Sequence, residues 1–382
     1  MSAGKTGWAA TGVDVAVIGA TGRVGRRVLG LLAAQAGACR AAGVKPRVVA
    51  VANSRSSLLA RDGIAAADAA ALLQGAGPTT PDAALLAEAL LRLGSQPLVV
   101  IDCTASTAVA AQYPRWLSAG IDVVTPNKIA SSADRALAHA LAAAQAASGA
   151  RVWDSTTVGA QLPLLATLRD LYRAGDRVER FEAVLSGTLS YVLGSIRGGA
   201  ALSAAVREAV QTGYAEPNPA CDLSGEDAAR KLVILLRALG HDLELRDVDV
   251  VPLVDAALLR EENAARLLGG LEAADEAWRA RAALAEVRRE RWVYRASFED
   301  GRARVGPERV ADTHAFARLA PCENALILHS ALYSAAPLTI AGPGAGIELT
   351  AAGVFGDLLA AAQRYVAPVA FRSATGVDAA AA

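Results

Sequence analysis

Short apolar runs alternate with stretches of helical periodicity through the first 150 residues. Residues 13–18 are valine-rich, and a glycine-rich turn separates them from a helical pattern at 24–34. Residues 48–52, 98–102 and 121–125 are further apolar runs of strand length. Buried strands that alternate with helices are typical of βαβ units, so this part of the chain predicts a parallel sheet.

Beyond residue 149 the pattern changes to an α+β arrangement. A strongly apolar helix is predicted at 224–239, and a last helix ends near residue 359. Strands are predicted at 181–185, 291–298, 302–305 and 325–332. Within the first region, residues 56–96 are alanine-rich with Gly-Pro punctuation, which predicts peripheral helices.

Composition limits the class of protein. Of 382 residues 53% are hydrophobic, which is enough for large cores, and 38 basic residues balance 38 acidic ones. This balance gives no reason to expect a nucleic acid or a membrane surface as partner. The four cysteines are far apart, no apolar run reaches transmembrane length, and the N-terminus does not resemble a signal peptide. We therefore expect a soluble, cytoplasmic protein without disulfides.

Lysine is rare in this chain. Only four of the basic residues are lysines (Lys5, Lys45, Lys128 and Lys231), and the other 34 are arginines. A lysine can lose its proton when buried, whereas arginine stays charged. Lys128 follows a predicted strand in the sequence Thr-Pro-Asn-Lys, where open α/β sheets bind ligands. A solvated loop lysine is the alternative interpretation.

A glycine-rich turn follows the first predicted strand and opens a helix. It reads Gly19-Ala20-Thr21-Gly22-Arg23-Val24-Gly25. Glycines in this position allow a tight turn and close approach of the backbone to a pyrophosphate, which the helix N-terminus attracts. The sequence therefore predicts a dinucleotide-binding turn.

The end of the second predicted strand bears on the choice of dinucleotide. Asn53-Ser54-Arg55-Ser56 offers no carboxylate for a ribose 2′-hydroxyl, but it does offer Arg55 for a 2′-phosphate. The sequence thus favours NADP(H) over NAD(H). The alternative is that Arg55 is one more solvated arginine.

Three acidic residues precede or begin the predicted helix at 224–239. Glu216 lies in a proline-fixed loop, Asp222 follows it, and Asp227 is four residues before Lys231 on the same helix face. Ser224 with Asp227 resembles a capping box, and a cap with a surface ion pair is one interpretation. Apolar residues nevertheless cover most of this helix, and Arg230 and Arg237 mark its exposed side on a helical wheel. A partly buried Lys231 beside carboxylates favours a polar substrate site with a proton-donating amine.

Together these motifs resemble homoserine dehydrogenase. The resemblance extends over most of the chain outside 56–96, and the pair Gly-Tyr-x-Glu-Pro and Asp-x-Ala-Arg-Lys is its most specific part. It rests on segments 19–25, 102–106, 125–128, 157–160, 186–191, 213–219, 227–231, 342–346 and 350–354.

The resemblance implies reversible, NAD(P)-dependent reduction of aspartate 4-semialdehyde to homoserine, on the pathway to threonine and methionine. It implies an α/β fold with a Rossmann-like dinucleotide-binding domain (1–150 plus 341–382), a second α+β domain for substrate binding and dimerisation (151–340), and a homodimer. Lys231 and Lys128 would be catalytic. Substrate would contact Glu216, Asp222, Asp227, Gly187 and Thr188. Cofactor would contact Gly19, Thr21, Gly22, Arg23, Val24, Gly25, Asn53, Arg55, Thr104, Ser106, Lys128 and Gly344.

The chain departs from the family pattern in three places. The nucleotide turn has one extra residue between its first two glycines. The glutamate that often helps to hold a sodium ion in the family is missing before Thr157, which leaves the backbone carbonyls of Val158 and Ala160 as candidate Na⁺ ligands. The residues after 359 are too few for an amino-acid-sensing domain, so we expect neither threonine feedback through one nor a fused aspartate kinase.

Two rival interpretations remain. Aspartate-semialdehyde dehydrogenase has a similar nucleotide turn, but it needs a nucleophilic cysteine, and no cysteine here has an obvious activating base. A non-catalytic NADP-binding sensor is the other, although both motif lysines and all three carboxylates are present.

Overall fold

Two six-stranded sheets organise the protein. The structure is a computed structural model that describes residues 10–77, 82–93 and 97–366. The first sheet has the strand order β3-β2-β1-β4-β5-β6. Its strands are β1 (Thr11–Ile18), β2 (Val44–Ala52), β3 (Ser57–Ile64), β4 (Leu98–Asp102), β5 (Asp122–Val124) and β6 (Val152–Trp153). Its helices are α1 (Arg23–Ala34), α2 (Ala36–Ala41), α3 (Ala69–Gly75), α4 (Ala83–Leu91), α5 (Thr107–Ala110), α6 (Tyr113–Ser118), α7 (Lys128–Ser131) and α8 (Arg135–Ser148).

The parallel core of the first sheet confirms the prediction from apolar runs. β1 pairs in parallel with β2 and with β4, and β5 joins β4 and β6 in the same direction. The helices predicted over 56–96 are present as α3 and α4, but the prediction lacks the strand β3, which pairs antiparallel with β2 before they begin. Leu58 and Leu59 give that edge strand its apolar positions, which alanine-rich surroundings concealed.

The second sheet is mixed and has the order β12-β11-β7-β9-β10-β8. Its strands are β7 (Val178–Val184), β8 (Val248–Val250), β9 (Glu290–Glu299), β10 (Arg302–Ala311), β11 (Glu323–Ser330) and β12 (Leu338–Pro343). The remaining helices are α9 (Leu164–Arg173), α10 (Gly187–Arg197), α11 (Leu202–Gln211), α12 (Ala220–Ser224), α13 (Glu226–Ala238), α14 (Ala256–Leu259), α15 (Ala264–Gly270), α16 (Asp275–Val287) and α17 (Ile347–Gln363). The two sheets with their helices confirm the α/β class.

Helix α13 lies in the largest hydrophobic core. Leu232 and Leu235 are fully buried there, beside Phe181 of the second sheet and Leu168 of α9. Burial of several large aliphatic side chains, each worth about 1.5–3 kcal/mol, fixes this helix against the sheet. Any polar group on α13 therefore has a well-defined position.

The last helix returns the chain to the first sheet. Val354 and Leu358 of α17 pack with Val15 and Val28 in the core of that sheet. An ion pair between Arg27 and Glu348, 2.6 Å long, joins α1 to the first turn of α17. None of the helices in the described ranges is long and apolar enough to cross a membrane.

Two details of α13 differ from the sequence prediction. The helix begins after Gly225 in a left-handed conformation (φ 78°), so the predicted Ser224–Asp227 capping box is wrong. The Ser224 hydroxyl instead accepts the amide of Glu226 at 3.2 Å. The placement of Arg237 on the exposed side is also wrong, because its guanidinium is half-buried and donates to the carbonyls of Ser131 and Ala133.

Gly225 is required by its dihedral angle and by its surroundings, so we predict that Gly225→Ala destabilises the protein strongly. A Cβ there would lie 1.8 Å from the hydroxyl oxygen of buried Tyr294, which itself donates to Val251. Gly175 is the matched control, because it has nearly the same φ (76°) and no atom within 4 Å of such a Cβ. Gly175→Ala carries only the left-handed strain of about 1–2 kcal/mol, and Gly225→Ala should lose about 2 kcal/mol more in urea unfolding. Equal losses would contradict the steric argument.

Candidate active site

One carboxylate joins the two motif lysines. The Nζ atom of Lys231 lies 2.7 Å from Asp227 Oδ2, and the Nζ atom of Lys128 lies 3.3 Å from Asp227 Oδ1. Lys231 also donates to the carbonyl of Leu185 at 2.8 Å, and its side chain is 14% exposed. Lys128 is the first residue of α7, which follows β5, whereas the other two residues belong to α13, so the structure brings distant segments together.

The electrostatics of Asp227 follow from this arrangement. Burial alone would raise the pKa of its carboxyl group, but the ammonium groups of Lys231 and Lys128 outweigh burial and hold the pKa well below its usual range. The carboxylate is therefore ionised at neutral pH. With both amines as ammonium groups, the two lysines and Asp227 together carry one net positive charge, which suits an alkoxide or a polarised carbonyl oxygen.

A second polar group lies at the start of α10. The hydroxyl of Thr188 lies 3.1 Å from Asp222 Oδ1 and 2.6 Å from the carbonyl of Tyr214, and the amide of Glu216 donates to Asp222 Oδ2 at 3.2 Å. Burial raises the pKa of Asp222. The Glu216 side chain is exposed, and Gly187 is the first residue of α10, whose cap is the Ser186 hydroxyl. The Asp222 carboxylate thus lies beside the first turn of α10.

The glycine turn has the form expected for a dinucleotide. Gly19 has a φ of 80°, and a Cβ there would lie 2.8 Å from the carbonyl oxygen of Cys103. A Cβ on Gly25 would lie 2.2 Å from the Gly19 carbonyl oxygen, so α1 packs directly on the turn that contains Thr21. At Gly22 no side chain caps α1, and its first turn, which contains Arg23 and Val24, has no acidic residue. This N-terminus can accept a pyrophosphate despite the extra residue in the turn.

The loop after β2 presents an arginine side chain, and β2 is the neighbour of β1, the strand before the glycine turn. The side chain of Asn53 accepts the amides of Arg55 at 2.7 Å and of Ser56 at 2.8 Å, which forms a tight local turn. The Arg55 side chain is exposed at the end of the loop. Arg55 is the charged group of this loop, and its exposed guanidinium can meet a phosphate.

A buried network, which the sequence does not reveal, joins the ends of β4 and β5. Asp102 is fully buried, and its Oδ2 accepts the hydroxyl of Tyr113 at 2.6 Å and the side-chain amide of Asn127 at 3.0 Å. Its Oδ1 accepts the amide of Thr104 at 2.8 Å, and the Thr104 hydroxyl in turn accepts the amide of Ser106 at 3.0 Å. Asp102 therefore fixes both the candidate cofactor loop and the residue that caps α7.

The C-terminal glycine loop connects the two sheets. The amide of Gly344 donates to the carbonyl of Cys322 at 3.5 Å, and a Cβ on Gly344 would lie 2.0 Å from Cγ of Asn324. Cys322 in turn packs against Gly187, because a Cβ built there would lie 3.4 Å from the Cα of Cys322. The loop thus lies between the start of α10 and the start of α17, beside the candidate substrate group.

Comparison with known proteins adds the family. The sequence model described as "Homoserine dehydrogenase" matches residues 163–359, and "Homoserine dehydrogenase, NAD binding domain" matches residues 21–153. The chain belongs to the homoserine dehydrogenase family. The two matches confirm the family resemblance and the presence of an NAD-binding domain.

Named relatives agree with this family. A chloroplastic bifunctional aspartokinase/homoserine dehydrogenase of Zea mays is 41% identical over 71% of this chain, but the chain spans only 30% of that relative's length. A homoserine dehydrogenase of Schizosaccharomyces pombe is 36% identical over 69% of this chain and 72% of its own. A solved structure described as a putative homoserine dehydrogenase from Archaeoglobus fulgidus has a TM-score of 0.74 at 25% identity, and it covers 91% of this chain and 98% of its own.

The low pKa of Asp227 predicts a pH-dependent contribution to stability. Its folded pKa lies below that of an unfolded aspartate (about 3.9), so the stabilisation is present at neutral pH and is lost as pH falls below that value. Asp227→Asn should therefore destabilise the protein at pH 7. In urea unfolding, the difference in free energy of unfolding between this variant and wild type should shrink as the pH falls from about 5 to about 2. Asp170→Asn, which breaks an exposed pair with Arg173, is the control and should change little at any pH. A pH-independent loss in Asp227→Asn would contradict the ion-pair assignment.

Proposed function

We propose that the protein interconverts homoserine and aspartate 4-semialdehyde with a nicotinamide dinucleotide as hydride acceptor or donor. The observation that carries this proposal is the placement of two lysine ammonium groups on one carboxylate, 2.7 and 3.3 Å away. Membership of the homoserine dehydrogenase family supports the same reaction.

The substrate is a zwitterion, and the proposed site offers a partner for each charge. Glu216 and Asp222 supply negative charge for the substrate ammonium group. The amides of Gly187 and Thr188, at the start of α10, supply donors for its carboxylate. Asp227 and the lysines then face the hydroxyl or aldehyde oxygen. Three polar contacts of different sign select an amino acid whose side chain ends in a C–O group.

Proton transfer is the proposed role of Lys231. When bound, the nicotinamide supplies or accepts the hydride at the carbon atom. In the direction of reduction, the Lys231 ammonium donates its proton to the oxygen as negative charge develops there, and in oxidation the neutral amine takes the hydroxyl proton. Lys128 adds a second positive charge next to that oxygen. Asp227 holds both amines in place.

We propose NADP(H) as the preferred cofactor. The exposed guanidinium of Arg55 can pair with a 2′-phosphate, and none of residues 53–56 offers a carboxylate for a free 2′-hydroxyl. Gly19, Gly22 and Gly25 with the first turn of α1 would bind the pyrophosphate. Thr104, Ser106 and Gly344 would lie towards the nicotinamide end.

A sodium site remains a proposal that rests on the backbone. Gly159 and Ala160 are both left-handed (φ 74° and 51°), and in the described ranges no donor is found for the carbonyl oxygens of Val158 and Ala160. The nearby carboxylates do not fit an ion, because Asp154 is bound by Arg169 and Ser131, and Asp357 is bound by Ser155.

The rival acyl-transfer chemistry lacks a suitable nucleophile. Burial raises the pKa of every thiol in the chain, including Cys103 and Cys322 near the site, so none is activated as a thiolate. A non-catalytic sensor does not need two lysines on one carboxylate.

We further propose a cytoplasmic homodimer, and a division into a dinucleotide domain (1–150 plus 341–382) and a substrate domain (151–340). The stretches 1–9 and 367–382 of that division, with Lys5, lie outside the described residues.

Turnover with homoserine tests the proposal directly. Wild-type protein should reduce NADP⁺ in the presence of homoserine, and Lys231→Ala should lower kcat by about 10²–10⁴-fold, the range for loss of a general acid–base group. Lys45→Ala removes an exposed lysine far from the site and should keep wild-type kcat. Absence of turnover by wild type with either dinucleotide would refute the reaction, and a near-normal kcat for Lys231→Ala would refute its role.

Cofactor choice has its own test. Arg55→Ala should raise KM for NADP⁺ about tenfold or more and leave KM for NAD⁺ almost unchanged, because only NADP⁺ carries the 2′-phosphate. Arg40→Ala, at another exposed arginine, serves as the control. Equal changes for both dinucleotides in Arg55→Ala would remove the 2′-phosphate argument.

A further inference from the structure

Arg237 connects helix α13 to the short helix that carries Lys128. Its Nη1 donates to the carbonyl of Ser131 at 3.1 Å and its Nη2 to the carbonyl of Ala133 at 2.6 Å. Its Nε donates to the carbonyl of Leu243 at 2.9 Å, in the segment that follows α13. A half-buried guanidinium whose three nitrogen atoms all donate to carbonyl oxygens is held rigidly.

Helix α7 is too short to hold its own position. It has four residues, Lys128–Ser131, and an isolated helix of this length is not stable. Its start is held by Asn127, whose side chain accepts the amide of Ile129 and donates to Asp102. Its end is held by Ser131, whose hydroxyl donates to Asp154 at 2.7 Å while its carbonyl accepts Arg237.

Two contacts therefore join α7 to α13, and they are far apart along α13. The ion pair of Lys128 lies at Asp227, and the carbonyl contacts lie at Arg237, ten residues and about 15 Å further along the helix. The ion pair alone would attach only the start of α7 to α13, whereas the two separated contacts attach both of its ends to that helix. The Lys128 ion pair is partly exposed (side chains 32% and 35%) and is weak by itself, so the remote contact matters for its geometry.

We propose that Arg237 is a positioning residue of the active site, which keeps Lys128 on Asp227 by clamping the end of α7 to the end of α13. The catalytic consequence rests on the proposed function, but the geometric one does not. The simpler alternative is that Arg237 only stabilises the fold by closing the end of α13 through Leu243. The two differ in whether loss of Arg237 releases the amine of Lys128.

Because the chain has only four lysines, the release of the Lys128 amine can be measured by chemical labelling. We propose trace acetylation of the whole protein with acetic anhydride, followed by mass spectrometry of the peptides that contain Lys45, Lys128 and Lys231. Lys45 is exposed and serves as the internal reference. In Arg237→Gln the ratio of Lys128 to Lys45 labelling should rise about threefold, because an amine freed from a partly exposed ion pair reacts faster. The ratio for Lys231, which stays with Asp227 on the same helix, should remain unchanged.

Arg230→Gln is the matched control on the same helix. Arg230 pairs only with Glu226 across one helical turn, so this variant should leave the Lys128 ratio at the wild-type value. For the proposed reaction, Arg237→Gln should lower kcat about tenfold with little change in KM for NADP⁺, since only the lysine is displaced. The labelling ratio decides the positioning role even if wild type has no turnover with homoserine.

The outcomes separate the alternatives. An unchanged Lys128 ratio in folded Arg237→Gln overturns the proposal and assigns Arg237 to fold stability alone. If Arg237→Gln does not fold, Arg237→Lys is the second variant. It keeps the charge but can reach only one of the carbonyls of Ser131 and Ala133, so the Lys128 to Lys45 labelling ratio should rise by less than threefold. An unchanged ratio in Arg237→Lys would then overturn the proposal.

Discussion

The carboxylate of Asp227 lies between two ammonium groups, and the rest of the candidate site depends on this contact. Lys231 is fixed because α13 is buried in the core of the second sheet. Lys128 is not fixed in this way, because it belongs to a four-residue helix after β5 of the first sheet. The shared carboxylate brings the two amines close together. Electrostatic attraction to the two ammonium groups outweighs the cost of burying Asp227, as the direction of its pKa shift indicates.

Around this contact, buried polar groups do the positioning. Asp102 holds the loops after β4 and β5 through Thr104 and Asn127, and Arg237 holds the other end of α7. Each of these groups is satisfied by several hydrogen bonds, which compensates for its burial. The proposed chemistry thus uses partly exposed side chains that buried, hydrogen-bonded groups hold in position. A cofactor turn built on close glycine contacts gives the same rigidity on the dinucleotide side.

Much of the fold could be predicted from local patterns. The parallel strands of the first sheet are continuous apolar runs, because both of their faces are buried, and the amphipathic periods of α1 and α13 are long enough to be recognised. β3 was missed because an edge strand needs few apolar side chains, and alanine does not distinguish strand from helix. The sequence predicts Ser224 as the cap of α13, but the helix begins after the adjacent Gly225, which is left-handed. A serine followed by a glycine does not show which of the two residues starts the helix.

The sequence by itself determined the residue types of the site: a rare lysine after a strand, a second lysine four residues after an aspartate, and a glycine turn before a helix. Their spacing along one helix or one turn is local, so periodicity can predict it. Only the tertiary structure decided that Lys128 and Asp227, 99 positions apart in the chain, form an ion pair. It also decided that Arg237 faces inward, because a helical wheel identifies an apolar face but cannot show that a neighbouring loop covers the polar one. Contacts between distant segments depend on how the two sheets pack, and no local pattern encodes that packing.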